Sequence, residues 1–139
     1  MKLTTQTDFA LRTLMYLGTR SSRANVSDVA TTFGISVNHV AKVVNLLARG
    51  GYIHSTRGIG GGIELALPAE QISIGRVIEL IEGDLHLLSC VGEDDTCSIH
   101  SFCKLKGVLA EAERVQREYL NGVTLADVVP SRKQLQRAE

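Results

Sequence analysis

Apolar residues return every three or four positions along much of the chain, in stretches separated by glycines and short polar turns. From Thr7 to Thr19, Ala10, Leu11, Leu14, Met15 and Leu17 fall at helical spacing, with Asp8 in the first turn where a carboxylate suits the helix dipole. A shorter helix follows, with Asn25 or Ser27 as its cap, Val26, Val29, Ala30 and Phe33 on its apolar side and Gly34 at its end. After a tight turn, Ser36 is a good N-cap for a third helix over Val37 to Arg49. There Val40, Val43, Val44 and Leu47 form an i, i+3, i+4, i+7 stripe, and Gly50-Gly51 stops it. The period then drops to two. Tyr52 to Arg57 and Gly62 to Leu67, the latter alternating Ile63, Leu65 and Leu67 with Glu64 and Ala66, read as a β-hairpin closed by Pro68. Helix, helix-turn-helix and hairpin in this order predict a winged helix-turn-helix DNA-binding domain over residues 1–70.

In residues 71–139, Ser73 caps a helix through Glu82 whose apolar side is Ile74, Val77, Ile78 and Ile81. A polar loop at about 84–103 leads into the longest helix, Phe102 to Leu120. Its apolar residues Leu105, Val108, Leu109, Ala112, Val115 and Tyr119 form a narrow stripe close to a coiled-coil seam, which predicts a dimerisation helix and, failing that, ordinary packing within one subunit. Asn121-Gly122 is expected to end it, and Thr124 to open a last short helix stopped by Pro130, leaving SRKQLQRAE as a frayed tail. The fold class expected is mainly α with a small β-hairpin: a winged helix-turn-helix plus a long C-terminal helix.

At 139 residues the chain is long enough for one core and short for two. Asp8 and Arg12 interrupt the N-terminal apolar stretch and no apolar run approaches membrane-spanning length, so a cytoplasmic protein without a membrane partner is expected. Net charge is zero, but residues 1–70 carry seven basic against four acidic residues and the remainder eight against eleven. A basic front is compatible with a face toward phosphates.

With the valine stripe inward, Asn38, Lys42, Asn45 and Arg49 line the opposite face of the third helix. Asparagine can pair with adenine, lysine and arginine with guanine or phosphate, and Ser36 at the helix N-terminus with a phosphate oxygen. Ser36, Asn38, His39, Lys42, Asn45 and Arg49 are therefore the candidate DNA-contacting residues of this helix. For an isolated helix such a face would be merely solvated; the helix-turn-helix spacing and the hairpin favour DNA. The hairpin tip RGIGGG is no dinucleotide fingerprint, because its glycines join two strands and open no helix. It predicts a wing tip in which Arg57 enters a minor groove and Gly60 lets the backbone pass close, or a tight turn and nothing more.

All three cysteines lie in SCVGEDDTCSIHSFCK, spaced Cys90-x6-Cys97-x5-Cys103. Three thiols cannot all pair within one chain, and a reducing compartment disfavours disulfides. Structural zinc usually takes shorter knuckles and would need a fourth donor such as His86 or His100. An iron-sulfur cluster accepts a more open loop and leaves a position for a ligand from elsewhere. Inert packed thiols fit a polar loop poorly. Glu93, Asp94 and Asp95 would repel an anionic cluster and should face water, whereas Cys103, beside Lys104 and Lys106 at a helix start, could favour one. No Ser/His/Asp or paired-carboxylate constellation points to an enzyme.

Taken together, MKLTTQTDFALR, VSDVATTFGISVNHVAKVVNLLARGGYI, RGIGGGIELALP, ISIGRVIELIEG, the three-cysteine loop and VTLADVV resemble the family of small dimeric winged-helix iron-sulfur repressors, which has NsrR-like nitric-oxide-sensing and IscR-like branches. The resemblance implies a 4Fe-4S cluster held by Cys90, Cys97, Cys103 and Asp8, the aspartate reaching in from the partner subunit. By spacing alone Asp8 is a helix-dipole residue. An IscR-like chain would carry histidine three residues after the third cysteine; here that residue is Lys106, which favours the NsrR-like branch. A homodimer, a palindromic double-stranded DNA operator and nitric oxide as signal are further implied. The alternatives are a 2Fe-2S cluster or zinc as cofactor, and an iron-sulfur or iron-supply-sensing regulator or a small iron-sulfur electron carrier as function.

Overall fold

Helix α1 (Thr5–Gly18) is the element around which the others pack. In the computed structural model, which describes residues 2–93 and 96–137, it contacts the third and fourth helices, the second strand and a short helix near the C-terminus. Thr4 starts it by accepting from the Thr7 N–H, and Ala10, Leu14 and Leu17 are buried along its inner face. Helix α2 (Val26–Phe33) follows a loop in which the Asn25 N–H donates to Asp28 Oδ2 at 3.2 Å, and ends at Gly34, whose φ of 63° is the left-handed conformation a glycine stop provides. Helix α3 (Val37–Arg49) starts at Ser36, whose Oγ accepts from the His39 N–H at 3.2 Å. It buries Val40, Val43, Val44 and Leu47, the four residues of the predicted stripe.

Strands β1 (Ile53–Thr56) and β2 (Gly62–Leu65) pair antiparallel from Ile53↔Leu65 to Thr56↔Gly62. Both are shorter than the alternation predicts, and Leu67 is exposed beyond the paired region. Part of the stabilisation comes from an unpredicted partner. Ala24, in the loop between α1 and α2, exchanges two backbone hydrogen bonds with Ile63 at 2.9 and 2.8 Å, so that loop acts as a third edge of the hairpin.

Helix α4 (Ile74–Glu82) is capped by Ser73, as expected, and lies against α5 (Lys104–Gly122). Helix α5 ends at Asn121-Gly122 as expected, but Gly122 is its last helical residue and no left-handed glycine terminates it. The reason is a short pairing of extended chain, in which Ile74 N–H donates to Val123 O at 2.9 Å and Leu125 N–H to Ile72 O at 2.8 Å. Helix α6 (Leu125–Val128) follows, and the tail is not frayed as expected but forms α7 (Arg132–Gln136). Ser131 and Gln134 cap each other reciprocally there, at 2.8 and 3.2 Å, and Leu135 packs on the core.

Ile72, Ile74, Val77, Ile78 and Leu125 belong to the same hydrophobic cluster as the helix-turn-helix valines. One core thus spans the two halves of the chain. Gly75 lies where α4 meets α5: a Cβ there would come within 2.2 Å of Asn121 Oδ1 and 2.6 Å of its backbone nitrogen. Gly75→Ala is expected to cost about 1–3 kcal/mol by forcing the helices apart, measurable as a lowered urea midpoint. A midpoint equal to wild type would show that the contact yields freely.

Helix α5 reverses the usual amphipathic rule. The side toward α4 carries half-buried Leu109 and Leu120 with Glu113 buried between them, while Leu105, Val108, Ala112, Val115 and Tyr119 face water, Tyr119 at 73% exposure.

Candidate cluster loop and nucleic-acid interface

The α5 inversion matters for the cysteine loop, because Glu113 is what the loop is pinned to. Its Oε1 accepts from the Leu87 N–H at 2.6 Å and its Oε2 lies 3.1 Å from His86 Nδ1. Burial opposes the charge on Glu113, but the Leu87 and His86 hydrogen bonds, with Arg117 nearby, outweigh it and hold its pKa below the usual carboxylate value. The His86 ring also packs against Gly92, where a Cβ would approach to 3.0 Å, so the loop doubles back over its own entry.

Cys90 sits in a 3-10 turn at Ser89–Val91 and is half-buried; Cys97 is exposed. Cys103, half-buried, is the N-cap residue of α5 after a second 3-10 turn at His100–Phe102. All three thiols are free. Among the described residues no three His, Cys, Asp or Glu side chains converge closely enough to hold a metal ion. Asp94 and Asp95, expected to face water, lie outside the described residues; Glu93 is exposed. The histidines considered as zinc donors are otherwise engaged, His86 by Glu113 and His100 by the Lys106 ammonium.

The donor set nevertheless fits an iron-sulfur cluster chemically. Three unpaired thiols lie in one loop, and the Cys103 side chain makes no cap hydrogen bond to the start of α5. The first turn there has no acidic residue, and Lys104 and Lys106 stand close in sequence. Such a helix start favours anionic sulfur.

Asp8 lies on α1, where its Oδ1 accepts from Arg12 Nε at 2.9 Å, each side chain a little under half exposed. The Arg12 guanidinium in turn lies 5.9 Å from the Phe33 ring centroid. Asp8 is therefore held in place on α1 with its second carboxylate oxygen free of any described hydrogen bond. The start of that helix is tied to the end of α4, since Glu82 Oε1 accepts from the Thr4 N–H at 2.6 Å, the Thr4 hydroxyl at 2.8 Å and the Thr7 hydroxyl at 2.5 Å. The loop that carries the cysteines leaves α4 immediately after Glu82. Neither Glu82 nor Glu113 was marked by motif, and the face of α5 that carries Glu113 also carries Gln116 and Arg117, so the pattern did not set it apart.

On the opposite face of α3, Ser36, Asn38, His39, Lys42, Asn45 and Arg49 are all exposed. The His39 ring also leans on Phe9 of α1, centroids 5.8 Å apart, so α3 touches the helix that carries Asp8. At the wing, Arg57 and Gly60 are exposed. The sequence reading missed the brace: Arg23 donates from Nη1 to the Gly60 carbonyl at 3.0 Å and from Nε to Glu64 at 3.2 Å.

A polar helix face left bare beside a braced glycine wing, on a core that extends into further helices, defines a DNA-binding transcriptional regulator of the winged helix-turn-helix class rather than an enzyme. Residues 3–131 match the Rrf2 family, described as iron-dependent transcriptional regulators. The chain belongs to this family. It is 38% identical over 140 residues to the HTH-type transcriptional regulator NsrR of Bacillus licheniformis, across 99% of this chain and 98% of that one. It is 40% identical over 139 residues to NsrR of Halalkalibacterium halodurans, across 98% and 95%. Oxidised CymR of Staphylococcus aureus superposes with a TM-score of 0.75 at 26% identity, over 93% of this chain and 96% of that chain. IscR of T. potens shares the fold, with a TM-score of 0.72 at 24% identity over 100% and 89%. The resemblance drawn from the sequence motifs is thereby borne out. Among the described residues no helix is long and apolar enough to cross a membrane.

Proposed function

We propose that this regulator is a homodimeric repressor that binds a palindromic double-stranded DNA operator through the exposed face of α3 and the wing, and that nitric oxide releases it by way of a 4Fe-4S cluster. Cys90, Cys97 and Cys103 would hold the cluster, with the partner subunit's Asp8 as the fourth ligand. The observation that carries this reading is the set of three free thiols in one pinned loop ending at the uncapped start of α5. The similarity to NsrR regulators over nearly the whole chain supports it.

When bound, the cluster supplies iron that reacts with nitric oxide. The chain's own residues supply the transmission. Among the residues that would hold the cluster, Asp8 would be the weakest donor, a carboxylate beside three thiolates. Arg12, 2.9 Å from Asp8, would compete with the cluster for its carboxylate. Because α1 also touches α3 through Phe9 and His39, a shift of Asp8 bears on the recognition helix of its own subunit. A change of a few kcal/mol between two arrangements is enough for derepression.

Anaerobic purification followed by iron, sulfide and zinc analysis tests the cofactor: about four irons and four sulfides per chain are expected for a 4Fe-4S cluster. Stoichiometric zinc without sulfide overturns it. Nitric oxide should abolish specific DNA binding that survives dithionite. The family's description as iron-dependent favours a second reading, in which cluster occupancy itself reports iron supply. Indifference to nitric oxide would select that reading.

A further inference from the structure

The wing has a tip that its role as a backbone spacer does not explain. Gly58 to Gly61 form a tight turn closed by Gly61 N–H to Gly58 O at 3.0 Å, with Gly60 at φ 76° in the third position and Ile59 in the second. From Gly58 to Gly62 only Ile59 carries a side chain, and that side chain stands wholly in solvent. At Gly61 a Cβ would come within 2.3 Å of the Thr56 carbonyl oxygen, so the turn excludes a second side chain there. Arg23 fixes the tip through Gly60 and Glu64, and the Ala24–Ile63 pairing fixes its base. The result is a narrow preformed blade with a single β-branched aliphatic group at its edge.

We infer that Ile59 is a specificity-determining residue for DNA, laid against base edges in the minor groove, where it selects an A·T pair over G·C. This rests on the wing facing DNA, as its winged-helix class implies. The minor groove is about 6 Å wide, which suits a glycine turn bearing one side chain and little else. Its floor shows only acceptors at A·T pairs, whereas G·C adds the guanine N2 amine. An aliphatic group offers that amine no acceptor and strips it of water, so a G·C pair under Ile59 leaves a donor unsatisfied. Arg57, exposed at the start of the tip, reinforces the choice because a narrow A·T-rich groove concentrates negative potential. One isoleucine among glycines presents too little apolar area for a protein or membrane surface.

Duplexes selected from a randomised pool by the full-length protein, purified without oxygen, provide the probe, and hydroxyl-radical footprinting locates the step under the wing. Replacing A·T by G·C there should weaken binding about tenfold. Inosine·C, which keeps the major-groove face of G·C but lacks the amine, should restore it. 2,6-Diaminopurine·T, which adds the amine to A·T, should weaken it again. Ile59→Ser should lose this discrimination while still binding the selected duplex, and Ile59→Val should keep it. Wild-type protein indifferent to the amine, or Ile59→Ser with unchanged preference, overturns the inference. A pool that enriches no sequence overturns the DNA-binding reading beneath it.

Discussion

Val115→Glu is expected to turn the proposed dimer into a monomer and to lower operator affinity by roughly 100-fold or more, because two linked half-site contacts become independent ones. Leu105, Val108, Ala112, Val115 and Tyr119 are spaced three, four, three and four residues apart, the repeat that keeps one seam of a helix toward a partner helix. All five are exposed in the single chain, although the opposite face of α5 already packs on α4 around a buried glutamate. A helix that gives its own subunit the less apolar face has kept the better one for something else, and a second copy of the same stripe is the occupant that the palindromic-operator reading requires. Val115 lies inside that run, one step past its central Ala112. A carboxylate there would be buried unpaired between two helices, a cost of several kcal/mol. Sedimentation at micromolar concentration and fluorescence anisotropy on an operator duplex read the two effects. Because Val115 touches little in its own subunit, helical content should be unchanged. A variant that still sediments as a dimer would place the interface elsewhere.

What the sequence disclosed and what it withheld divide along the distance over which a residue's role is determined. Ser36, the valines of α3 and Gly34 act on neighbours within a helical turn or two, and the structure places each as the pattern predicts. The end of α5 falls at Asn121-Gly122 as the pattern predicts, but its cause was hidden: Val123 pairs with Ile74, nearly fifty positions away, in place of a left-handed glycine stop. The S-x-x-Q box of α7 was local and legible, yet the polarity of the tail masked it. The candidate site shows the same division. The cysteines announce themselves by type and spacing, whereas Glu113, Arg23 and Glu82 are ordinary surface-type residues until the fold sets Leu87, Gly60 and Thr4 beside them. Asp8 is intermediate: its bond to Arg12 follows from i, i+4 spacing, and its proposed ligand role only from the family resemblance.

Glu82 is where that long-range information has its largest expected effect on stability. One oxygen of its carboxylate gathers the N-cap amide, the N-cap hydroxyl and the Thr7 hydroxyl at the start of α1. Thr7 is completely buried, so Glu82→Ala leaves a hydroxyl with one fewer partner in the core and should cost about 2 kcal/mol, a fall in Tm of about 6 °C. Glu82→Gln keeps an acceptor and removes the charge, and should cost less than half as much. The hydrogen bond from Thr7, helped by those from Thr4, holds the Glu82 pKa below its usual value against a smaller opposing effect of burial. A carboxyl whose folded pKa is depressed stabilises fully above its unfolded pKa, near 4.5, and loses that contribution as pH falls through the folded value. The stability gap between wild type and Glu82→Gln should therefore be constant from pH 8 to about 5 and shrink as pH falls below the unfolded value and through the depressed folded one. A gap that persists at acid pH would assign the effect to packing and not to the charge. Since the same carboxylate joins the helix that carries Asp8 to the residue from which the cysteine loop departs, Glu82→Ala should also loosen the loop. Faster amide exchange at Leu87 to Val91, with α3 unchanged, is the expected sign of that connection.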